Sequence, residues 1–181
     1  MSRLGAEWLV VGGWTVDLFL GYPTRTHDDV DIGLAREDQL AARRLLVGWC
    51  YEKVVPEGRE LARESWPEGD SLELPVHEIH AHSPDGHHVE FLLLEREADR
   101  WVYRRDPRVR LQWDLLTFGS GLGVKALAPE VVLLFKAKGR RARDQADFEA
   151  LLPRLSDDRR AWLRAALEVA HPRHRWLRDL A

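Results

Sequence analysis

WLVVGGWTVDLFLGYPTRTHDDVDIGL, residues 8–34, joins an apolar run, two adjacent glycines, a stretch of helical character and three closely spaced aspartates. The run ending at Gly12 and Gly13 is short and β-rich, so it reads as a buried strand. From Trp14 to Leu20 a broad apolar face predicts a helix, broken at Gly21-Tyr22-Pro23. DVDIGL then alternates with period two. Side chains two apart on a strand share a face, so Asp29 and Asp31 are expected to point together, with Val30 and Ile32 facing the core. Asp28 has the opposite parity or precedes the strand, which fits a bracing or capping role. Two carboxylates on one face repel each other, and unless they share a proton, a divalent cation such as Mg²⁺ relieves them best. The Gly-Gly turn opens a helix N-terminus, where unpaired N–H groups and the dipole favour an anion. A cation site beside an anion site describes a place for a metal-bound triphosphate.

The rest of the chain follows an α/β order. Residues 36–49 read as helical, YEKVV as a strand, and PEGRELARESWPEGDS as a mobile loop. LELPVHEIHAHS and HHVEFLLLE are extended runs joined at Pro84-Asp85-Gly86, which predicts a hairpin. WVYRRDPRVRLQWDLLTF is ambiguous, with strand-like alternation in its middle. GSGLG follows no clear strand and lacks dinucleotide-motif spacing. Pro129 and Glu130 suit the first turn of a helix carrying VVLLFKAK. ARDQADFEALL fits a second helix, and Ser156 caps a third. The expected organisation is a core over residues 1–124 followed by a helical lobe over 125–181.

Composition limits the function classes. The 181 residues are 45% hydrophobic, enough for one substantial core. A single cysteine, Cys50, excludes an internal disulfide and leaves a cytoplasmic location as the expectation. No apolar run approaches a membrane span, and there is no signal-peptide pattern. The net charge of −3 is uneven: residues 1–124 carry 14 basic against 22 acidic side chains, and residues 125–181 carry 13 against 8. A pI near 6.2 argues against a general nucleic-acid binder.

GGWTVDLFLG, TRTHDDVDIGL and LAPEVVLLFKAKGRRARDQADFEALLPRL together resemble the antibiotic nucleotidyltransferases of the polymerase β-like superfamily, especially the aminoglycoside 2''-adenylyltransferase and lincosamide nucleotidyltransferase group. The resemblance implies an α/β fold with a small mixed sheet and a C-terminal helical lobe. It implies transfer of a nucleotide, with ATP the expected donor and two Mg²⁺ ions the expected cofactors, to a hydroxyl of a small-molecule acceptor. A protein hydroxyl as acceptor, or an inactive nucleotide-binding relative, are the alternatives. It places the metal pair at Asp29 and Asp31 and the triphosphate at Gly12 and Gly13, and Thr15, where the family often has Ala, could add a hydroxyl near the phosphate as a further nucleotide contact. It also expects a third carboxylate on an adjacent strand, which Glu90 fits as metal ligand and general base, with Glu78 and Asp85 as competitors. Arg25 could serve the triphosphate or fix its own loop. His27 reads as a brace, and Lys136 is expected to reach the nucleotide from the helical lobe unless it merely snorkels. Asp144 and Asp147 read as structural, Asp144 pairing with Arg140 or Arg141.

HEIHAHSPDGHH holds five histidines within 12 residues. His80 and His82 share a strand face, and a hairpin could bring His88 across from them. The spacing fits no zinc motif, so a half-exposed hairpin or substrate rim is the preferred reading, with a transition-metal site as the rival. The eight tryptophans are expected mostly in the core.

Overall fold

Alternating side chains on a few short strands let one sheet serve two cores. In the computed structural model, which describes residues 5–27, 29–58, 60–139 and 141–180, the strands are β1 (Trp8–Val10), β2 (Asp31–Ala35), β3 (Cys50–Glu57), β4 (Glu60–Ser65), β5 (Glu78–His82), β6 (His88–Glu97), β7 (Arg100–Val102), β8 (Arg110–Gln112), β9 (Thr117–Gly119) and β10 (Lys125–Leu127). The helices are α1 (Trp14–Leu20), α2 (Ala41–Leu45), α3 (Pro129–Lys136), α4 (Ala142–Leu151) and α5 (Asp157–Ala170). Asp28 and Arg140, considered above as braces, lie outside the described residues.

The sheet runs β4-β3-β5-β6-β2-β1-β10-β9, with β7 and β8 attached at the end of β6. Its pairings are mixed: β2 is parallel to β6 and β1 to β10, whereas β1–β2, β5–β6 and β3–β5 are antiparallel. Ile32 and Leu34 of β2 join Phe91, Leu93, Ile79 and Ala81 in a core beneath α2. Leu9, Val11 and Leu94, on the opposite face, join residues of α1, α3, α4 and α5 in a second core. That second core contains Leu127 through Leu180 alongside Leu9 and Val16, so the C-terminal helices pack directly on the strands before residue 124.

Local signals account for the helix ends. Pro129 stands in the first turn of α3, Ser156 caps α5 by accepting from the Arg159 amide, and Gly21 closes α1 at φ 81°. Among the described residues no helix is long and apolar enough to cross a membrane.

Three readings are corrected. The strand at DVDIGL begins at Asp31, so Val30 precedes the sheet and is exposed, while Ile32 is buried. Residues 36–49 hold only a short 3₁₀ turn and the five-residue α2. PEGRELARESWPEGDS, read as a mobile loop, contains β4, which pairs with β3 from Glu52↔Ser65 to Glu57↔Glu60. An edge strand with mostly exposed side chains shows no hydrophobic period, which hid it. Trp66, just after β4, is 2% exposed; it donates from Nε1 to the Asp70 carbonyl at 3.0 Å, and the Arg43 guanidinium lies 4.1 Å from its ring centroid. Trp66→Ala is therefore expected to cost about 3–5 kcal/mol, read as a lower urea midpoint. An unchanged midpoint would mean that this hairpin does not seal the core.

Candidate active site

The close approach of Gly12 to Asp31 organises the site. Gly12 has φ +68°, a left-handed conformation that disfavours a side chain, and a Cβ there would run into the Asp31 carboxylate. The Val11 amide donates to the Asp31 carbonyl at 3.0 Å, so the turn and the start of β2 are locked together. Gly13 is equally constrained: a Cβ would lie 2.6 Å from His27 Nδ1 and would meet the Arg25 guanidinium. Thr15 is fully buried and donates its hydroxyl to the Val10 carbonyl at 3.1 Å, so that hydroxyl is committed to the strand-to-helix turn. It does not line the cavity beside the turn.

Parallel register sets Asp31 of β2 directly beside Glu90 of β6. Asp29, in the loop before β2, presents its carboxylate to the same place, and its carbonyl accepts from Trp14 Nε1 at 2.8 Å. Oxygens of Asp29, Asp31 and Glu90 lie within 4.8 Å of one another. The crowding has an electrostatic consequence. Burial, then the Asp29 and Glu90 charges, push the Asp31 carboxyl up to about 7. A divalent cation would reverse that penalty, and an all-oxygen set suits Mg²⁺, so the residues present fit the metal. Of the competing third carboxylates, Glu78 lines the cavity but is engaged with His80 Nε2 at 2.7 Å. Asp85 is exposed in the β5–β6 turn and lines no part of the cavity.

The loop between α1 and β2 is fastened by Asp17, which is 6% exposed. Its carboxylate accepts from the Thr24 amide at 3.0 Å and hydroxyl at 2.5 Å, and contacts His27 Nε2 at 2.8 Å. Burial works to raise its pKa, but the bonds from Thr24 and His27 outweigh that and hold it below the usual value. His27 thus braces the loop, its ring tilted against that of Trp14 with centroids 4.7 Å apart. Arg25 reaches from this loop along the cavity wall, its Nε 3.7 Å from Asp147 Oδ1.

Lys136 ends α3 with a buried ammonium 2.6 Å from Asp147 and 3.5 Å from Asp144. Arg141 makes a two-pronged bond to Asp144 at 2.7 and 3.0 Å. Asp147 thus couples the helical lobe to the Arg25 loop and to Lys136, a role the sequence did not reveal.

These groups surround a cavity of about 410 Å³. Its lining also includes residues that sequence reasoning missed: His77, Arg104, Arg105 and Arg143. Arg104 Nη2 lies 2.6 Å from His77 Nε2, and burial, then repulsion from Arg105, lowers its pKa to about 10. Neither Arg104 nor Arg105 forms an ion pair among the described residues. Carboxylates and arginines in the lining of one cavity suit a metal-bound polyanion.

A search of curated protein sequences gave no significant match. Among solved structures, the lincosamide antibiotic adenylyltransferase LnuA, lincomycin-bound, superposes with TM-score 0.55 at 16% identity, over 83% of this chain and 89% of that one. The solution structure of the antibiotic-resistance factor ANT(2'')-Ia matches with TM-score 0.55 at 16% identity, over 92% and 84% of the two chains. The crystal structure of ANT(2'')-Ia in complex with adenylyl-2''-tobramycin matches with TM-score 0.54 at 14% identity, over 91% and 89%. These likenesses show the shared nucleotidyltransferase fold. The family model for aminoglycoside-2''-adenylyltransferase matches residues 1–151, and the chain therefore belongs to that family and is a nucleotidyltransferase.

Proposed function

We propose that the protein transfers AMP from ATP to a hydroxyl of an aminoglycoside-type acceptor in a Mg²⁺-dependent reaction. The observation that carries this reading is the convergence of Asp29, Asp31 and Glu90 beside the Gly12-Gly13 turn, in a cavity also lined by Arg25, Arg104, Arg105 and Lys136. In this reading the acceptor oxygen attacks the α-phosphorus, the bond to the bridging oxygen breaks, and pyrophosphate leaves. Glu90 takes the acceptor's proton as general base. A divalent cation held by Asp29, Asp31 and Glu90 would neutralise the triphosphate and the departing pyrophosphate. Gly12 and Gly13 let phosphate oxygens approach the backbone closely. Arg104 and Arg105 supply fixed positive charge in a partly dehydrated wall, and Arg25 and Lys136, both anchored on Asp147, hold the phosphate side of the cleft.

The neighbours' acceptors, lincomycin and tobramycin, are both hydroxyl-bearing small molecules. The aminoglycoside class is favoured by the match of the aminoglycoside-2''-adenylyltransferase family model to residues 1–151. Pyrophosphate release, screened with each nucleoside triphosphate against aminoglycosides and lincosamides, tests the reading. ATP with an aminoglycoside is the expected active pair, and no release with any pair would overturn it.

Two variants test the roles. Glu90→Gln keeps size and removes the base, so it should lower kcat by about 10² to 10⁴-fold while Mg·ATP affinity is largely retained. Wild-type kcat in this variant would transfer the role to another group. For Asp31 the sign follows from a folded-state pKa raised above the unfolded value. Ionisation is penalised in the fold, so the penalty is absent below about pH 4 and complete above pH 7. Asp31→Asn should therefore stabilise the metal-free protein at pH 8 by about 1–3 kcal/mol and abolish the Mg²⁺-dependent rise in Tm. A variant no more stable than wild type at pH 8 would contradict the crowding.

A further inference from the structure

The face that carries Glu90 continues into a cluster of histidines, His80, His82 and His88, to which the proposed nucleotidyl transfer gives no role. Antiparallel register pairs His80 with Glu90 and His82 with His88, so all four side chains stand on one face of β5 and β6. His80 is 2% exposed. Its Nδ1 lies 3.0 Å from His88 Nε2 and 3.3 Å from Glu90 Oε1, and the remaining side of that triangle, His88 Nε2 to Glu90 Oε1, is 3.8 Å. Metal bonds of 2.0–2.1 Å in tetrahedral or octahedral geometry require ligand separations of roughly 2.8–3.4 Å. Two sides of the triangle already meet that requirement, and a modest side-chain shift closes the third.

The back of His80 supplies an independent observation. Its Nε2 is 2.7 Å from Glu78 Oε1. A carboxylate accepting from Nε2–H fixes the tautomer whose bare lone pair is on Nδ1, the atom facing His88 and Glu90. Carboxylate–histidine–metal sites use this same outer contact to orient and strengthen the ligand. His82 stacks on His88 at 4.6 Å between ring centroids, and His80, His82 and His88 offer nitrogens within 4.8 Å of one another. A mixed imidazole and carboxylate set selects a borderline transition cation over Mg²⁺.

We propose that His80, His88 and Glu90, with His82 adjoining as a fourth donor, form a site for a divalent transition cation of the Zn²⁺ type, distinct from the Asp29–Asp31 site and sharing Glu90 with it. Glu78 is the positioning residue for His80. This site stands on its own geometry and does not depend on the identity of the acceptor or nucleotide.

Titration of the chelator-stripped full chain with Co²⁺, followed by its d–d absorption without nucleotide, tests the proposal. Wild type should take up one equivalent with the absorption of nitrogen-ligated cobalt, counted apart from any oxygen-ligated cobalt at Asp29 and Asp31, and Zn²⁺ should displace it. His88→Ala, at a half-exposed position where truncation is tolerated, should weaken uptake at least about tenfold, and Glu78→Gln should weaken it about 10–100-fold. The double variant Asp29→Asn with Asp31→Asn should retain uptake. Far-ultraviolet circular dichroism of each variant checks that the fold is kept, and His80→Asn serves as a second ligand variant if His88→Ala unfolds. No stoichiometric uptake by wild type, uptake spared by the ligand variants, or uptake abolished by the Asp29 and Asp31 double variant would each overturn the proposal.

Discussion

Like-charge crowding at Asp31 is the constraint around which the rest of the site is arranged. Its carboxylate sits between Asp29 and Glu90 at the junction of β1, β2 and β6, pressed against a turn that only glycine can make at position 12. Moving β2 by one residue would turn Asp31 into the core beneath α2, because the side-chain period of a strand is two. Gly-Gly and Asp-x-Asp are therefore two sides of one contact. The backbone at Gly12 comes close because Asp31 must face the cleft, and Asp31 can face the cleft because Gly12 has no side chain.

The sheet resolves the conflict between stability and charge by dividing its faces. Ile32, Leu34, Phe91, Leu93 and Ile79 bury one face completely. The other is apolar only where β1 and the end of β6 meet the helices, and it turns polar from Asp31 through Glu90 to His80. The helical lobe supplies opposite charge to that polar region. Lys136 and Arg25 converge on Asp147, while Asp144 accepts from Arg141, so the lobe's cations are held in place by buried carboxylates. Arg104 and Arg105, which also line the cavity, are held instead by His77, the Tyr103 hydroxyl and the Phe135 carbonyl.

Much of this was legible in sequence because it depended on local patterning. The turn at Gly12, the carboxylate at Asp31, the hairpin at Pro84-Asp85-Gly86 and the starts of α3 and α5 each have a short-range physical signature. What stayed hidden depended on partners distant in the chain. Four Arg-Arg pairs occur, at 43–44, 104–105, 140–141 and 159–160, and nothing local distinguishes the pair that lines the cavity. Thr15 looked like a phosphate contact by position, but its hydroxyl was within reach of the Val10 carbonyl five residues back. Asp17 reads as one polar residue on a short apolar helix, and its three bonds to the 24–27 loop appear only once the chain has turned back at Gly21. The histidines were legible in part: the hairpin already implied that His88 would lie across from His80 and His82, and the register pairs His82 with His88 and His80 with Glu90.

The central claim is that the carboxylate cluster is electrostatically frustrated until a cation joins it. Calorimetric titration of the protein with Mg²⁺ at pH 7, repeated in buffers of different ionisation enthalpy, measures that directly as protons released on binding. With Asp31 pushed up to about 7 in the metal-free protein, Mg²⁺ binding should release about half a proton, and the release should vanish in Asp31→Asn. Heats that do not depend on the buffer, or a proton release unchanged in Asp31→Asn, would contradict the account.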